Sequence, residues 1–315
     1  MEYQLLQMRR INVKHYIGID IGGTNIKYGL LTENGQVLDF NKIKTNRNKK
    51  EMIQSIKGIV EKYQQNQDIV AIGVSAPGIV QADGFMVTGG AIQDFYGINL
   101  KEELMTALEL PVAVENDANC AALAEKWIGA SKDNHHSVTI VVGTGIGGGV
   151  IINDELFRGA HATAGEFGFM LVEEIENNDS RMATLSLTGA VGAGVVDKYQ
   201  QQSDGGTAKL SGLEIFNLAE QGDSLAISVI DRFYDRLAKG IFNMAVSFDP
   251  EVILIGGEIS GNQEFMLELR ARVARLKAMH RDMQPVILPD IRPCQFLNQA
   301  GVIGATYNVM KRLAE

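Results

Sequence analysis

Cysteine is almost missing from this chain of 315 residues, which carries only Cys120 and Cys294. Two thiols cannot build a disulfide framework or a four-thiolate zinc site, and both sit in apolar settings that read as buried, so a reducing, cytoplasmic setting is expected. Long apolar runs are missing too. No stretch approaches about 18 uninterrupted apolar residues, and "MEYQLLQMRRINVKH" shows no apolar core with a small-residue cleavage site, so neither a membrane span nor secretion is expected. Positive charge is scarce: 29 Lys and Arg stand against 38 Asp and Glu, a net charge of -9. That balance opposes non-specific binding to nucleic acid, which needs clustered cations to displace counterions from phosphates. Six prolines and no low-complexity tract leave no linker visible in composition. The five histidines show no metal-ligand spacing, and His135 and His136 read as solvated loop residues.

What is abundant is glycine, 34 residues, within a chain that is 45% hydrophobic and 21% charged. These are the proportions of an ordinary globular protein with many tight turns, long enough for two domains. From Tyr16, "YIGIDIGGTNIKYGLL" and "TENGQVLDF" read as a three-stranded meander with a glycine corner and an Asn-Gly hairpin. "KKEMIQSIKGIVEKYQQN" has helical spacing, "IVAIGVSAP" is a buried strand stopped by Pro77, "KEELMTALEL" a helix and "PVAVEN" a strand. At Ser137 the pattern restarts: "SVTIVVGTGIGGGVIIN" repeats strand, glycine corner, strand, and "DELFRG" closes it. Two copies of one device predict two domains of related topology. Downstream, "LEIFNLAEQGDSLAISVIDRFYDRLAKGIFNMAVSFD" reads as mostly long helix, "PEVILIGGEIS" as a strand ending in Gly-Gly, and "AGVIGATYNVMKRLAE" as a terminal helix that returns to the first domain. The expected division is 1–116 plus 300–315 against 117–299.

The motifs lie at strand ends. "ENDANC" places Glu115, Asn116, Asp117 and Asn119 between an apolar strand and an alanine-rich helix. Such a cluster serves equally as a helix cap or as a ligand-facing group at a sheet edge. In "DIGGTN", Gly22, Gly23 and Thr24 could wrap a phosphate with backbone amides while Asp20 holds Mg²⁺ or its water; an ordinary Gly-Gly hairpin has the same spelling. "GTGIGG" at 143–148 spells GxGxxG but is followed by strand, where a dinucleotide-binding fold requires helix. "IGGEI" is a third corner, at which Gly256 and Gly257 would let a flat base approach the backbone, or simply make a tight turn. Three corners, each after an apolar strand, together describe a nucleotide held between two domains.

"DIGGTNIKYG", "SAPG", "ENDANCAALAE", "GTGIGGG", "AGEFG" and "IGGEI", in this order, resemble the ROK family of sugar kinases and sugar-responsive repressors. The resemblance runs from about Tyr16 to Ala305. It implies an actin-like ATPase (ribonuclease H-like) α/β fold, with two domains of related topology and a cleft between them. It implies ATP and Mg²⁺, with Asp117 as the general base that takes a proton from a sugar hydroxyl. Asn116 and Glu166 would then bind sugar hydroxyls, with Gly78, Gly90 and Phe169 on the sugar side. Asp20, Gly22, Gly23, Thr24, Asn25, Lys27, Thr144, Gly145, Gly147, Gly256 and Gly257 would serve the nucleotide, and Asp20 the metal. A homodimer is also implied.

Two departures from the family pattern refine this expectation. Most members continue the Gly-Glu motif as Gly-Glu-x-Gly-His before a cysteine-rich zinc segment; here "GEFGFM" puts Phe169 at the histidine position and residues 171–192 contain no cysteine. No zinc is expected. "TGGAIQDF" at 88–95 replaces a sugar loop common in the family, and with "VENDANC" and "AGEFGFM" it looks like the bacterial β-glucoside kinase branch, which acts on the 6-hydroxyl of the non-reducing glucose of cellobiose and similar sugars. Phe169 then either offers an apolar face to a second ring or fills core volume. The alternatives are a kinase of a free hexose or hexosamine and, from another class, a non-catalytic sugar-responsive regulator. A DNA-binding regulator is not expected, because only about fifteen residues precede the first strand and the chain is acidic.

Overall fold

The computed structural model describes residues 13–203 and 210–315, so the lead-in over residues 1–12 lies outside the described residues. The chain forms two compact units, one running to Asn116 and completed by Gly301–Glu315, the other spanning Asp117–Ala300.

The first unit is built on β1 (His15–Ile21), β2 (Asn25–Thr32), β3 (Val37–Lys44), β4 (Ile69–Ala76) and β5 (Val112–Asn116), in the order β3-β2-β1-β4-β5. β1, β2 and β3 pair antiparallel through the predicted glycine and Asn-Gly turns; β4 and β5 add in parallel. Side chains alternate between the faces of a strand, and here the alternation divides labour. Ile17, Ile19, Ile72 and Val74 face a core shared with Met52 and Ile56 of helix α1 (Lys49–Gln64) and Leu104 of α2 (Leu100–Leu108). The register pairs Tyr16 with Ala71, Gly18 with Gly73 and Asp20 with Ser75 on the opposite face. The terminal helix covers that face so closely that a Cβ on Gly18 would stand 2.2 Å from the Val302 carbonyl oxygen, and one on Gly73 1.9 Å from that of Ala305.

The second unit repeats the plan with β6 (Ser137–Val142), β7 (Ile146–Ile152), β8 (Glu155–Leu156), β9 (Val252–Gly256) and β10 (Asp290–Pro293), ordered β8-β7-β6-β9-β10. The pairing senses match strand for strand. Helix α3 (Asp117–Ile128) packs its alanines on β7. The other face holds the main core, where Val138, Ile140 and Ile255 meet Phe233, Leu237 and Ile241. Glu125 of α3 is fully buried and accepts the backbone N–H groups of Ala130 at 2.8 Å and Phe296 at 2.7 Å, joining the end of α3 to the loop after β10.

The stretch read as mostly long helix consists of two helices, α4 (Gly212–Glu220) and α5 (Ser224–Phe248). Gly222 at φ +92° breaks the first, and Asp223 caps the second by accepting from the Ala226 N–H at 2.7 Å. Helix α6 (Gln263–Ala278) and strand β10 were not foreseen, nor was a π-helical turn over Val191–Asp197. The chain closes with α7 (Ala300–Ala314).

Candidate functional site

In the first unit, the β1-β2 corner exposes Gly23 and Thr24, and the Gly22 N–H closes the turn on the Asn25 carbonyl at 3.0 Å. Thr45, just beyond β3, pins the corner by donating its hydroxyl to the Gly22 carbonyl at 2.6 Å. Asp20 and Lys27 face each other across the β1-β2 ladder, Nζ to Oδ2 3.7 Å. At the end of β4, the Pro77-Gly78 turn packs on the Gly89-Gly90 turn, and the Ile79 N–H donates to Thr88 Oγ1 at 2.9 Å. Asn116, nearly buried at the end of β5, donates Nδ2–H to the Gly78 carbonyl at 2.8 Å. The structure therefore groups Gly78, Gly90 and Asn116, and separately Asp20 and Lys27.

Asp117 opens α3 with its side chain exposed and accepts the Ala118 N–H on Oδ1 at 2.8 Å. Glu166 lies in the same unit on the loop after β8, and its half-buried carboxyl is pushed above the usual carboxylate range by burial. β7 carries both segments. Its Gly147 and Gly149 lie against Ala118 and Ala122 of α3, while a Cβ on Gly148 would enter the Phe167 ring at 2.3 Å. The run of three glycines is thus explained by packing on both faces of one strand. Phe169 is 71% exposed. It does not fill core volume, which corrects that alternative: the turn Phe167–Phe169 buries its first aromatic and turns its second to solvent. Beyond it, Arg232 and Arg236 of α5 both hold Glu173. Burial pushes the Glu173 carboxyl up, but the two guanidinium partners outweigh it and keep it below the usual range.

The glycine corner of β6-β7 and the corner after β9 meet at a cavity of about 1300 Å³ within the second unit. Thr144 and Gly257 line it; Gly145 and Gly147 lie beyond its lining, and a Cβ on Gly256 would point instead toward Cys294 Sγ at 3.3 Å. The walls include Leu213, Phe216, Ile230 and Phe265, with Ser211 and Asn262 among the polar groups. Sequence reasoning missed the contribution of residues 191–196 and 211–216. A readable signal existed in Ser211-x-x-Glu214, a capping box whose two reciprocal hydrogen bonds both form, placing the start of α4 at the cavity wall.

These features fit a nucleotide. A base needs an apolar slot with a few polar groups, and the cavity supplies both; a polyphosphate needs amides at an exposed glycine corner, and the exposed Thr144 of such a corner lines the cavity. Mg²⁺ keeps several waters and binds through one or two carboxylates plus substrate phosphates, so a lone, partly buried Asp20 beside a glycine corner fits it.

The sequence pattern of the ROK family matches residues 16–312. The chain belongs to the ROK family. The β-glucoside kinase of Listeria monocytogenes is 35% identical over 295 residues, which cover 93% of this chain and 96% of that one. A ROK family protein from Streptococcus pneumoniae, solved with sucrose, has a TM-score of 0.83 at 31% identity, covering 95% of this chain and 99% of its own. The ROK family glucokinase from Streptomyces griseus, solved with glucose and AMPPNP, has a TM-score of 0.76 at 27% identity, covering 93% and 98%. The fold is that of the actin-like ATPases, and the strand order repeated in the two units agrees with it. Among the described residues, no helix is long and apolar enough to cross a membrane.

Proposed function

We propose that this ROK-family sugar kinase transfers the γ-phosphoryl group of ATP to the 6-hydroxyl of the non-reducing glucose of β-glucosides such as cellobiose. Asp117 is the general base. Its carboxylate, oriented by the Ala118 N–H, takes the hydroxyl proton as the sugar oxygen bonds to phosphorus and the bond to the departing ADP breaks. A base of this kind contributes typically ~10² to 10⁴ in rate. Asn116, fixed on the Gly78 carbonyl, and Glu166 hold sugar hydroxyls. The exposed corners donate amides to phosphate oxygens through Gly23–Thr24 and Thr144–Gly145, the second-unit cavity takes the nucleoside, and Asp20 would hold Mg²⁺, which would neutralise phosphate charge.

The observation that carries the β-glucoside reading is Phe169, exposed one short turn after Glu166. An aromatic face there gives a second ring something to stack on, where a polar donor would favour a free sugar. The name of the Listeria relative supports the same choice. The test is a coupled ADP-release assay with cellobiose, gentiobiose, methyl β-glucoside and glucose. The β-glucosides should show the higher kcat/KM, and Phe169→Ala should lower kcat/KM for cellobiose, relative to glucose, by roughly 3- to 10-fold, the worth of one aromatic contact. A decisive preference for glucose would reassign the substrate to a free hexose.

A further inference from the structure

Asp20 lies at the end of β1, on the sheet face covered by α7. Three elements converge on its carboxylate. From β4, the fully buried Ser75 donates its hydroxyl to Oδ1 at 2.7 Å. From β2, Lys27 Nζ stands 3.7 Å from Oδ2. From the first turn of α7, Gly301 leaves the space the carboxylate occupies: a Cβ there would stand 2.5 Å from Asp20 Cγ and 2.6 Å from Oδ1. The Asp20 side chain is 16% exposed.

We propose that Ser75 and Gly301 are positioning residues that lock Asp20 so that Oδ2 alone is offered to the magnesium nucleotide. The inference rests on the kinase reading above. A buried hydroxyl in a strand costs free energy unless it is hydrogen-bonded, and Ser75 finds its acceptor in Asp20. With Oδ1 engaged by Ser75 and the rear of the slot closed by α7, rotation of the carboxylate is restrained and Oδ1 is disfavoured as a second ligand. A single fixed oxygen suits an ion that demands octahedral geometry and keeps its waters. Charge placed before the reaction needs no reorganisation during it. Lys27 balances Oδ2 in the meantime.

The experiment compares wild type, Ser75→Ala and Gly301→Ala in two measurements: kcat/KM as a function of free Mg²⁺, and calorimetric binding of the non-hydrolysed nucleotide AMPPNP with Mg²⁺ and with EDTA. The two variants disturb Asp20 by different physics, one deleting its hydrogen bond and the other pushing the carboxylate aside. Gly301→Ala also raises helix propensity, so α7 itself still forms, and Ser75→Ala tests the lock without touching α7. Both should lower kcat/KM about tenfold, the scale of one hydrogen bond to a charged group, and raise the Mg²⁺ concentration for half-maximal rate. Both should lose most of the tightening of AMPPNP by Mg²⁺ while keeping wild-type affinity in EDTA and for sugar. Wild-type Mg²⁺ dependence in either variant would overturn the proposal, as would equal weakening with Mg²⁺ and with EDTA. Absence of Mg²⁺-dependent phosphoryl transfer in the wild type would instead sink the kinase reading, and this inference with it.

Discussion

Alanine at Gly257, compared with alanine at its neighbour Gly256, separates two roles within one dipeptide. Gly257 has φ 92° and ψ 160°, a region essentially reserved for glycine, and holding a side chain there costs ~1 to 3 kcal/mol. Its Cβ would stand 2.1 Å from the Val142 carbonyl oxygen. That is backbone at the end of β6 and cannot step aside, so relief of the overlap adds roughly another 1 to 3 kcal/mol. With each kcal/mol worth ~2 to 4 °C in a domain of 150 to 250 residues, Tm should fall by on the order of 10 °C. Gly256 has ordinary φ, and its Cβ would meet side-chain atoms, Cys294 Sγ at 3.3 Å and Val141 Cγ2 at 3.4 Å. Gly256→Ala should therefore cost less than ~1.5 kcal/mol. Val142 and Gly257 both line the cavity, so Gly257→Ala should also raise KM for ATP while leaving KM for sugar near wild type. Thermal melts and the two KM values decide the matter. A Gly257→Ala Tm within ~2 °C of wild type, or a greater loss at Gly256, would refute the reasoning.

Asp117→Asn should keep the fold and the calorimetric affinity for sugar while lowering kcat by roughly 10² to 10⁴; near-wild-type turnover would remove Asp117 from the base role. Burial raises the Glu166 pKa, so its folded-state proton stabilises the protein below the unfolded pKa of about 4.3, and that contribution is lost as pH rises through the folded pKa. Glu166→Gln should consequently melt above wild type at pH 7 and level with it near pH 4, while raising KM for sugar; a lower Tm at pH 7 would contradict the sign. Glu125→Ala orphans two part-buried N–H groups and should cost about 1 to 3 kcal/mol in denaturant unfolding, whereas a cost under ~0.5 kcal/mol would show that the loop re-pairs with water.

The first meander and its repeat could be read directly because their signals are local: alternating apolar residues, an Asn-Gly turn and glycine at each corner all act within a few positions. The same locality exposed the strand-end polar cluster at residues 115–117. What escaped depends on distant partners. α6 buries only a narrow stripe, Phe265, Met266, Leu269 and Val273, and its Arg272 is held by Asp231 and Asp235 from α5 as well as by Glu268. β10 is four residues ending in proline, visible only through its pairing with β9. The Val191–Asp197 turn owes its shape to close approach, since a Cβ on Gly192 would stand 2.6 Å from the Thr144 carbonyl oxygen. Ser75 read as one residue of a buried strand. Only the register that sets it opposite Asp20 gives its hydroxyl a purpose.

The closure of the first sheet by α7 also sets an order of events during synthesis. Chains fold as they emerge, amino-terminal part first, yet the face carrying Gly18 and Gly73 receives its cover from residues 302–305, which leave the ribosome after the whole of the second unit. The second unit, continuous over Asp117–Ala300, can mature while the earlier one still waits with a bare, small-residue face. The part of the protein made first is thus the part finished last, and a nascent chain stalled or truncated just before α7 would hold one mature half and one that cannot close.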